Sequence, residues 1–259
     1  MGIINVTPDS FSDGGRYFDK SKAVEHGLKL AVEGADIIDI GGESTRPGAK
    51  PVTPQEQIER TREVIAELRK RLDIPISIDT TSSEVASAAL SVGASIINDI
   101  SALRFDDRMV NLAKEYDSDL ILMHMIGIPE NMQENPDYDD IISEISEFFK
   151  ERIQFAEEHG IDPAKIIIDP GIGFGKTIEG NLELLRQIVK FRELGKPVLI
   201  GASRKSFIGK IIGREANDRL AGSIAVACFA AYNNVDILRV HDVKETLDAV
   251  KVILKLNEN

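Results

Sequence analysis

Asp79 and Asp169 each close a short aliphatic run, Ile74-Pro-Ile-Ser-Ile-Asp79 and Ile166-Ile-Ile-Asp169. Asn98 closes another, and Lys205 follows a fourth in Gly201-Ala-Ser-Arg-Lys-Ser-Phe207. A carboxylate pairs bidentately with a planar donor edge, such as a guanidinium or a 2-amino-pyrimidinone, and an ammonium can meet the carbonyl of such a ring. Arg239 and His241 in Arg239-Val-His-Asp242, like the Ser-Arg-Lys-Ser segment, offer cationic and hydrogen-bonding groups suited to an anion. The run Asp169-Pro-Gly-Ile-Gly-Phe-Gly-Lys176 resembles a phosphate-binding P-loop, but the glycine required five residues before the Gly of Gly-Lys is Pro170. Nucleotide triphosphate binding is therefore rejected. These glycines instead let backbone approach a flat ligand, with Asp169 aimed at it and Phe174 beside it.

Two loops add to this chemistry. Asn5-Val-Thr-Pro-Asp-Ser-Phe-Ser-Asp-Gly-Gly15 carries two Asp and three hydroxyl residues, with Phe11 in its middle, where there is no core to fill. Glu43-Ser-Thr-Arg-Pro-Gly48 carries an Arg whose planar fork suits phosphate or carboxylate.

All these residues follow apolar runs, and the runs recur. Ile3–Val6, Ile37–Ile40, Ile74–Ile78, Ile96–Ile100, Leu120–Met123, Ile166–Ile168, Val198–Ile200 and Ile237–Val240 read as parallel strands covered on both faces. Helical patterns lie between them, with Val24, Leu28 and Ala31 on one face, then Ile58, Val64, Ile65 and Leu68, then Leu247, Val250, Ile253 and Leu254. Gly34, Gly93, Gly160 and Gly195 fall where left-handed helix ends are wanted. Eight such units without a shift in composition predict one α/β domain over residues 1–259, a (β/α)8 TIM barrel. Counting alone does not separate that barrel from an open sheet. In a barrel, the C-terminal strand ends share one face, so Asn5, Asp39 with Glu43, Asp79, Asn98 with Asp99, His124, Asp169, Ser203-Arg204-Lys205, Arg239 and His241 converge. One strand-end Asp alone would read as a helix cap; polar groups at all eight ends read as a site. His124 suits a functional or a structural role equally, and His26 and His159 read as surface groups on helices.

Composition narrows the partners. The chain has 259 residues, 42% hydrophobic and 29% charged, and 31 basic against 43 acidic side chains give a net charge of −12. Such a surface repels nucleic acid and anionic membrane, while a local cation cluster still admits a small anion. Cys228 is the only cysteine, so no disulfide framework is expected, and it reads as core packing. Four scattered histidines and one cysteine make a zinc cluster improbable. No secretory signal or membrane span is visible, and Val6 breaks a myristoylation motif, so the chain reads as cytoplasmic. Leu220–Tyr232 is nearly apolar all round, with the small residues Ala221, Gly222, Ala225 and Ala227, and predicts an interface between two copies.

The segments Met-Gly-Ile-Ile-Asn-Val-Thr-Pro-Asp-Ser-Phe-Ser-Asp-Gly-Gly, Gly-Gly-Glu-Ser-Thr-Arg-Pro-Gly, Ile-Asn-Asp-Ile, Asp-Pro-Gly-Ile-Gly-Phe-Gly-Lys, Gly-Ala-Ser-Arg-Lys-Ser and Arg-Val-His-Asp-Val resemble the motifs of the dihydropteroate synthases, in order and over nearly the whole chain. The resemblance implies a transferase of folate biosynthesis that joins (7,8-dihydropterin-6-yl)methyl diphosphate to 4-aminobenzoate. It implies that Asn5 holds Mg²⁺ on the diphosphate, and that Arg239 and His241 bind the diphosphate. Asp79, Asn98, Asp169 and Lys205 would seat the pterin. Thr45, Arg46 and Pro47, with Phe11 and Phe174, would shape the aminobenzoate pocket, and Ser206 would take its carboxylate. Asp13 and Val240 lie within the matched motifs and join the substrate-binding set. The catalytic set is Asp79, Asp169, Lys205, Arg239 and His241, acting after diphosphate loss on a pterin-methyl cation. The resemblance also implies a homodimer through the C-terminal barrel helices, and residues ahead of Met1 in the family. Ile126 and Ile128 stand where the family often carries polar residues. A pterin-binding methyltransferase would share the barrel and the ring-binding Asp and Asn but leave the cationic segments unexplained. A non-catalytic pterin-binding paralogue has no reason to keep every matched residue.

Overall fold

The computed structural model describes residues 1–7, 16–44, 51–127 and 136–258, with backbone alone for residues 16–19. Strands and helices alternate in chain order: β1 Gly2–Asn5, α1 Arg16–Val32, β2 Ile38–Gly41, α2 Pro54–Arg69, β3 Ile76–Asp79, α3 Ser83–Leu90, β4 Ile96–Asp99, α4 Met109–Glu115, β5 Asp119–Met123, α5 Ile141–Glu158. The order continues with β6 Ile166–Asp169, α6 Ile178–Arg186, α7 Val189–Arg192, β7 Leu199–Ile200, α8 Ser206–Ile212, α9 Leu220–Tyr232, β8 Ile237–Leu238 and α10 Val243–Asn257.

Strands β1 to β6 form one parallel sheet in sequence order, and β7 pairs with β8. Two narrow seams close the circle. Ile168 bridges to Val198, with the Ile168 N–H donating to the Pro197 carbonyl at 3.0 Å. Gly2 bridges to Val240; the Ile3 N–H donates to Val240 O and the Val240 N–H to Met1 O, each at 3.0 Å. The sheet is thus a closed eight-stranded barrel, and closure removes the open-sheet alternative. β7 and β8 are only two residues long, shorter than the apolar runs 198–200 and 237–240 predict.

The barrel's chemistry follows from the two-residue period of a strand. Ile38, Ile40, Ile76, Ile78, Leu120 and Leu122 point outward into the buried layer shared with the helices. The alternate positions point inward, and Ile96, Ile121, Ile167 and Leu199 pack with Met1, Ile37 and Ile237 as a separate apolar floor. Two residues further along these strands, one level higher, stand Asp39, Asn98, Met123, Asp169, Gly201 and Arg239. Asp79 stands two residues beyond the inward Ser77 in the same way. Period-two patterning therefore stacks a charged layer directly on an apolar one.

Local chemistry fixes the helices. Thr53 caps α2, its hydroxyl accepting from the Glu56 N–H, with Pro54 at the first position; Asp140 caps α5 and Thr177 caps α6. Gly34, Gly93, Gly160 and Gly195 all have positive φ, as expected of helix ends. No helix among the described residues is long and apolar enough to cross a membrane. Cys228 is partly exposed on α9 rather than in the core, because α9 turns only Ser223, Ala227, Ala230 and Ala231 fully inward. Leu254 likewise faces solvent, together with Val252 and Leu256, and leaves the expected buried face of α10.

Candidate active site

One side of the mouth is an ion cluster. Arg239 lies between two carboxylates: its Nε donates to Asp39 Oδ2 at 2.6 Å and its Nη2 to Asp79 Oδ2 at 2.8 Å. Asn98 Nδ2 donates to the same Asp39 oxygen at 3.3 Å. These residues come from β2, β3, β4 and the end of β8, and parallel register brings them to one level. Burial raises the Asp79 carboxyl to about 7, against the pull of Arg239. Burial also opposes the Arg239 charge, yet Asp39 and Asp79 hold the guanidinium above its usual range. Asp39 is fully buried, and its second oxygen, Oδ1, has no hydrogen-bond partner among the described residues, as is also true of Ser77 Oγ beneath. Arg239 Nη1 takes part in no hydrogen bond among the described residues.

The opposite side is built on backbone and an aromatic ring. Asp169 ends β6, and its Oδ1 accepts from the Gly171 N–H at 2.7 Å. Burial pushes its carboxyl up to about 6, opposed first by that N–H and then by Lys205 and Arg239. Gly171 has a φ of +70°, and a side chain there would run into the His124 carbonyl, so only glycine fits. The turn it starts places Phe174 under Lys205, whose Nζ is 3.8 Å from the ring centroid, a cation–π contact. Asn181 of α6 holds the turn from outside, its Oδ1 accepting from the Gly173 N–H at 2.6 Å.

Behind this turn the buried Lys176 donates to Phe174 O at 2.8 Å and His124 O at 3.3 Å, and lies 3.1 Å from His124 Nδ1. Burial lowers its ammonium to about 7. Burial, then Lys176 and Arg104, lower His124 to about 2, so its ring is neutral. His124 packs edge-on against Phe148 at 4.8 Å, and its backbone N–H donates to Asp169 O at 2.9 Å. Of the two roles open to it, the structure gives His124 the structural one.

The last strand end carries the other cations. His241 Nδ1 lies 3.0 Å from Ser203 Oγ, which also accepts from the His241 N–H at 3.3 Å. The contact with Ser203 fixes the orientation of the imidazole and leaves Nε2 on the other side of the ring. Arg204, with φ +58°, turns away and forms a fork with Asp242: Nε to Oδ2 at 3.0 Å and Nη2 to Oδ1 at 2.6 Å. It serves the scaffold.

Several expected residues lie elsewhere. Asp99 points outward, its Oδ1 accepting from Ser101 N at 2.8 Å and its Oδ2 from Leu103 N at 2.8 Å; it shapes the loop after β4. The Val240 side chain sits in the outer core, with both backbone groups in the β1 seam, so it closes the barrel and does not face the mouth. Glu43 joins the ends of its loop to α2, accepting from Val52 N at 2.8 Å and from Gln57 Nε2 at 3.2 Å. Ser206 is exposed at the start of α8, and Asn5 ends β1 on the same barrel face. Phe11, Asp13, Thr45, Arg46, Pro47 and Ile128 lie outside the described residues.

A family model for pterin binding enzymes matches residues 1–241. The dihydropteroate synthase of Synechocystis is 48% identical over 253 residues, covering 97% of this chain and 88% of that protein. The chain belongs to the dihydropteroate synthase family. It is accordingly a transferase acting on a pterin-methyl group and an arylamine. A Xanthomonas albilineans dihydropteroate synthase solved with 4-aminobenzoic acid superposes with a TM-score of 0.94 at 46% identity, covering 100% of this chain and 93% of that one. A structure of the Xanthomonas enzyme in complex with 7,8-dihydropteroate gives 0.90 at 43% identity, with the same coverage.

For a dihydropteroate synthase, three residues in and behind this mouth carry more than the sequence revealed. Asp39 was visible only as one polar strand end, yet it is the hub of the ion cluster; the period of two in Ile37-Ile-Asp39-Ile-Gly41 is the signal that places it inward. Lys176 was visible only within a failed nucleotide motif, and Asn181 left no signal at all.

Proposed function

We propose that this chain condenses the pterin diphosphate with 4-aminobenzoate by dissociation followed by capture, with the two sides of the mouth dividing the work. Asp79, Asn98 and Asp169 accept and donate along the pterin's amino-pyrimidinone edge, and Lys205 meets the ring carbonyl. The charged layer supports this reading best: two inward carboxylates, both raised by burial, stand at the C-terminal ends of β3 and β6 on the mouth of the barrel. Each is poised to ionise fully when ring N–H groups replace lost water.

Arg239, through Nη1, and His241 take the diphosphate. The carbon–oxygen bond breaks with its electron pair leaving on diphosphate, Asp79 and Asp169 stabilise the pterin-methyl cation, and the arylamine nitrogen lone pair forms the new carbon–nitrogen bond. The nitrogen then loses its proton to water. Positioning and charge stabilisation carry the rate, since the Ser203–His241 pair orients the imidazole rather than making a nucleophile. Asn5, whose side chain makes no hydrogen bond among the described residues, suits Mg²⁺, which keeps most of its shell from phosphate oxygens and water. When bound, that ion neutralises charge on the departing diphosphate. No group of three or more His, Cys, Asp or Glu able to hold a metal occurs among the described residues.

Phe174 and Ser206, with Phe11, Thr45, Arg46 and Pro47, form the arylamine pocket, and Asp13 belongs to the same loop set. The 4-aminobenzoic acid and 7,8-dihydropteroate held by the Xanthomonas enzymes support both halves of the assignment. The chain works as a homodimer through α9 and α10, where Phe229, Tyr232, Val252 and Leu256 remain exposed although Ile208 of α8 covers Gly222. Light scattering at micromolar protein that returns one chain's mass rules the dimer out. The reaction belongs in the cytoplasm, where a free thiol such as Cys228 persists. The deciding experiment measures diphosphate release from the pterin diphosphate with and without 4-aminobenzoate. Release coupled to formation of dihydropteroate is expected, and absence of both overturns the reading.

A further inference from the structure

The turn after β6 has glycine at alternate positions, Gly171, Gly173 and Gly175, with φ of +70°, +82° and +61°. Backbone of this kind gives up much freedom on ordering and needs outside support. It nevertheless carries Phe174, whose ring lies under Lys205, and the Gly171 N–H that supports Asp169. Three side chains fasten it. Tyr138, ahead of α5, donates to Gly175 O at 3.0 Å; Asn181 of α6 accepts from the Gly173 N–H at 2.6 Å; Lys176 donates to Phe174 O at 2.8 Å. Lys176 differs from the other two. It is 3% exposed, and it also reaches the end of β5, donating to His124 O at 3.3 Å. Its remaining contact is His124 Nδ1 at 3.1 Å, so no carboxylate among the described residues pairs with this buried amine. A Cβ added at Gly171 would stand 3.4 Å from Lys176 Nζ, which places the amine directly behind the peptide that holds Asp169.

We propose that Lys176 is a positioning residue for the reaction: it ties the glycine turn to β5 and supplies, from behind Gly171, a positive charge that faces Asp169. The inference rests on the assignment of Asp169 to the pterin ring and adds a group that acts through it. Burial raises the Asp169 carboxyl to about 6, opposed by the Gly171 N–H, by Lys205 and Arg239 from the mouth, and by Lys176 from behind. Burial lowers the Lys176 ammonium to about 7, with Asp169 raising it and Lys205 lowering it. His124 of β5 is neutral between Lys176 and Arg104, Tyr138 is an un-ionised phenol, and the exposed Lys210 of α8 lies on the outer side. Lys176 therefore takes up its proton as pH falls through about 7, just above the interval in which Asp169 loses its charge. The two charged forms favour each other, so a ligand that holds Asp169 ionised also strengthens the ammonium.

Two variants separate charge from support. Lys176→Gln keeps N–H donors for the turn and removes the charge, while Asn181→Ala loosens the same turn and leaves every charge in place. Affinity for 6-hydroxymethyl-7,8-dihydropterin is measured by calorimetry at about pH 6 and about pH 8. Lys176→Gln should bind within about twofold of wild type at the higher value, where Lys176 has shed its proton, and about tenfold more weakly than wild type at the lower. Asn181→Ala should lose the same factor at both. A loss in Lys176→Gln that is independent of pH makes Lys176 a plain structural tie and overturns the proposal. A second readout needs no variant. In wild-type enzyme carrying 13C at the lysine ε-carbons, a signal titrating near neutrality should titrate about one unit higher once the dihydropterin is bound. A midpoint that stays in place overturns the proposal as well. Wild-type enzyme that binds the dihydropterin at neither pH strikes the assignment of Asp169 to the ring instead.

Discussion

The two sides of the mouth solve one problem, a buried charge, in different ways. On the β2–β3–β8 side, charges satisfy one another: Asp39 and Asp79 are paired through Arg239, and Asn98 completes the set. On the β6–β7 side, Asp169 leans on a backbone N–H and Lys205 on the face of Phe174. A closed ion network fails when one member is removed, because the partners stay buried and unpaired. A carboxylate held by backbone keeps its place when its charge is removed. The difference separates residues whose loss costs the fold from residues whose loss costs only the ligand.

Arg239→Met should test the first side most severely. It strands two buried carboxylates, so stability should fall by about 3–5 kcal/mol in urea unfolding, with diphosphate-dependent turnover lost. A fall below about 1 kcal/mol would erase the distinction between the two sides. Asp169→Asn should leave the unfolding midpoint near wild type while pterin affinity drops roughly ten- to hundred-fold, the scale of one charge-assisted pair. Calorimetric titration with a pterin checks this, and near-wild-type affinity would remove Asp169 from the site.

Acidification should act next. Asp79 and Asp169 titrate in the free protein at about 7 and about 6, and ring N–H donors favour the ionised forms, lowering both values in the complex. Pterin affinity is therefore full above about 7 and weakens as pH falls through that value, by up to about tenfold per unit for each proton taken up. Affinity that is flat, or that rises on acidification, would show that the carboxylates do not accept from the ligand. Asn98→Ala should have the smallest effect: a 3.3 Å bond to Asp39 is lost while Arg239 stays, so stability should fall by about 1 kcal/mol and pterin affinity about fivefold.

The barrel was legible because each parallel strand is apolar on both faces, and eight such runs leave few other packings. Which strand-end residues look into the mouth was less so. Adjacent residues such as Asn98 and Asp99 carry similar chemistry, yet one faces the mouth beside Asp39 and the other binds the Ser101 and Leu103 N–H groups. The parity of each strand separates them: counting in twos from the floor residue Ile96 reaches Asn98 and skips Asp99. The same count from Ile237 reaches Arg239 and skips Val240. The positioning of Lys176 and Asn181 depends on how a glycine turn folds back in three dimensions, and no spacing encodes that. The role of Cys228 was misjudged because composition alone did not tell which side of α9 meets solvent.

The seam that joins Gly2 to Val240 also sets the order in which the molecule can be made. β1 leaves the ribosome long before Val240, its partner on one edge. At about 5–20 residues per second, that edge waits roughly ten to fifty seconds with its N–H and C=O groups unpaired. During this interval the nascent protein is an open, growing sheet with a sticky border, able to pair with another unfinished copy. A pulse-chase of translating ribosomes should find protease resistance of the first strand appearing only after residue 240 has cleared the exit tunnel. Until then, the closing of the barrel waits on the strand that carries Val240.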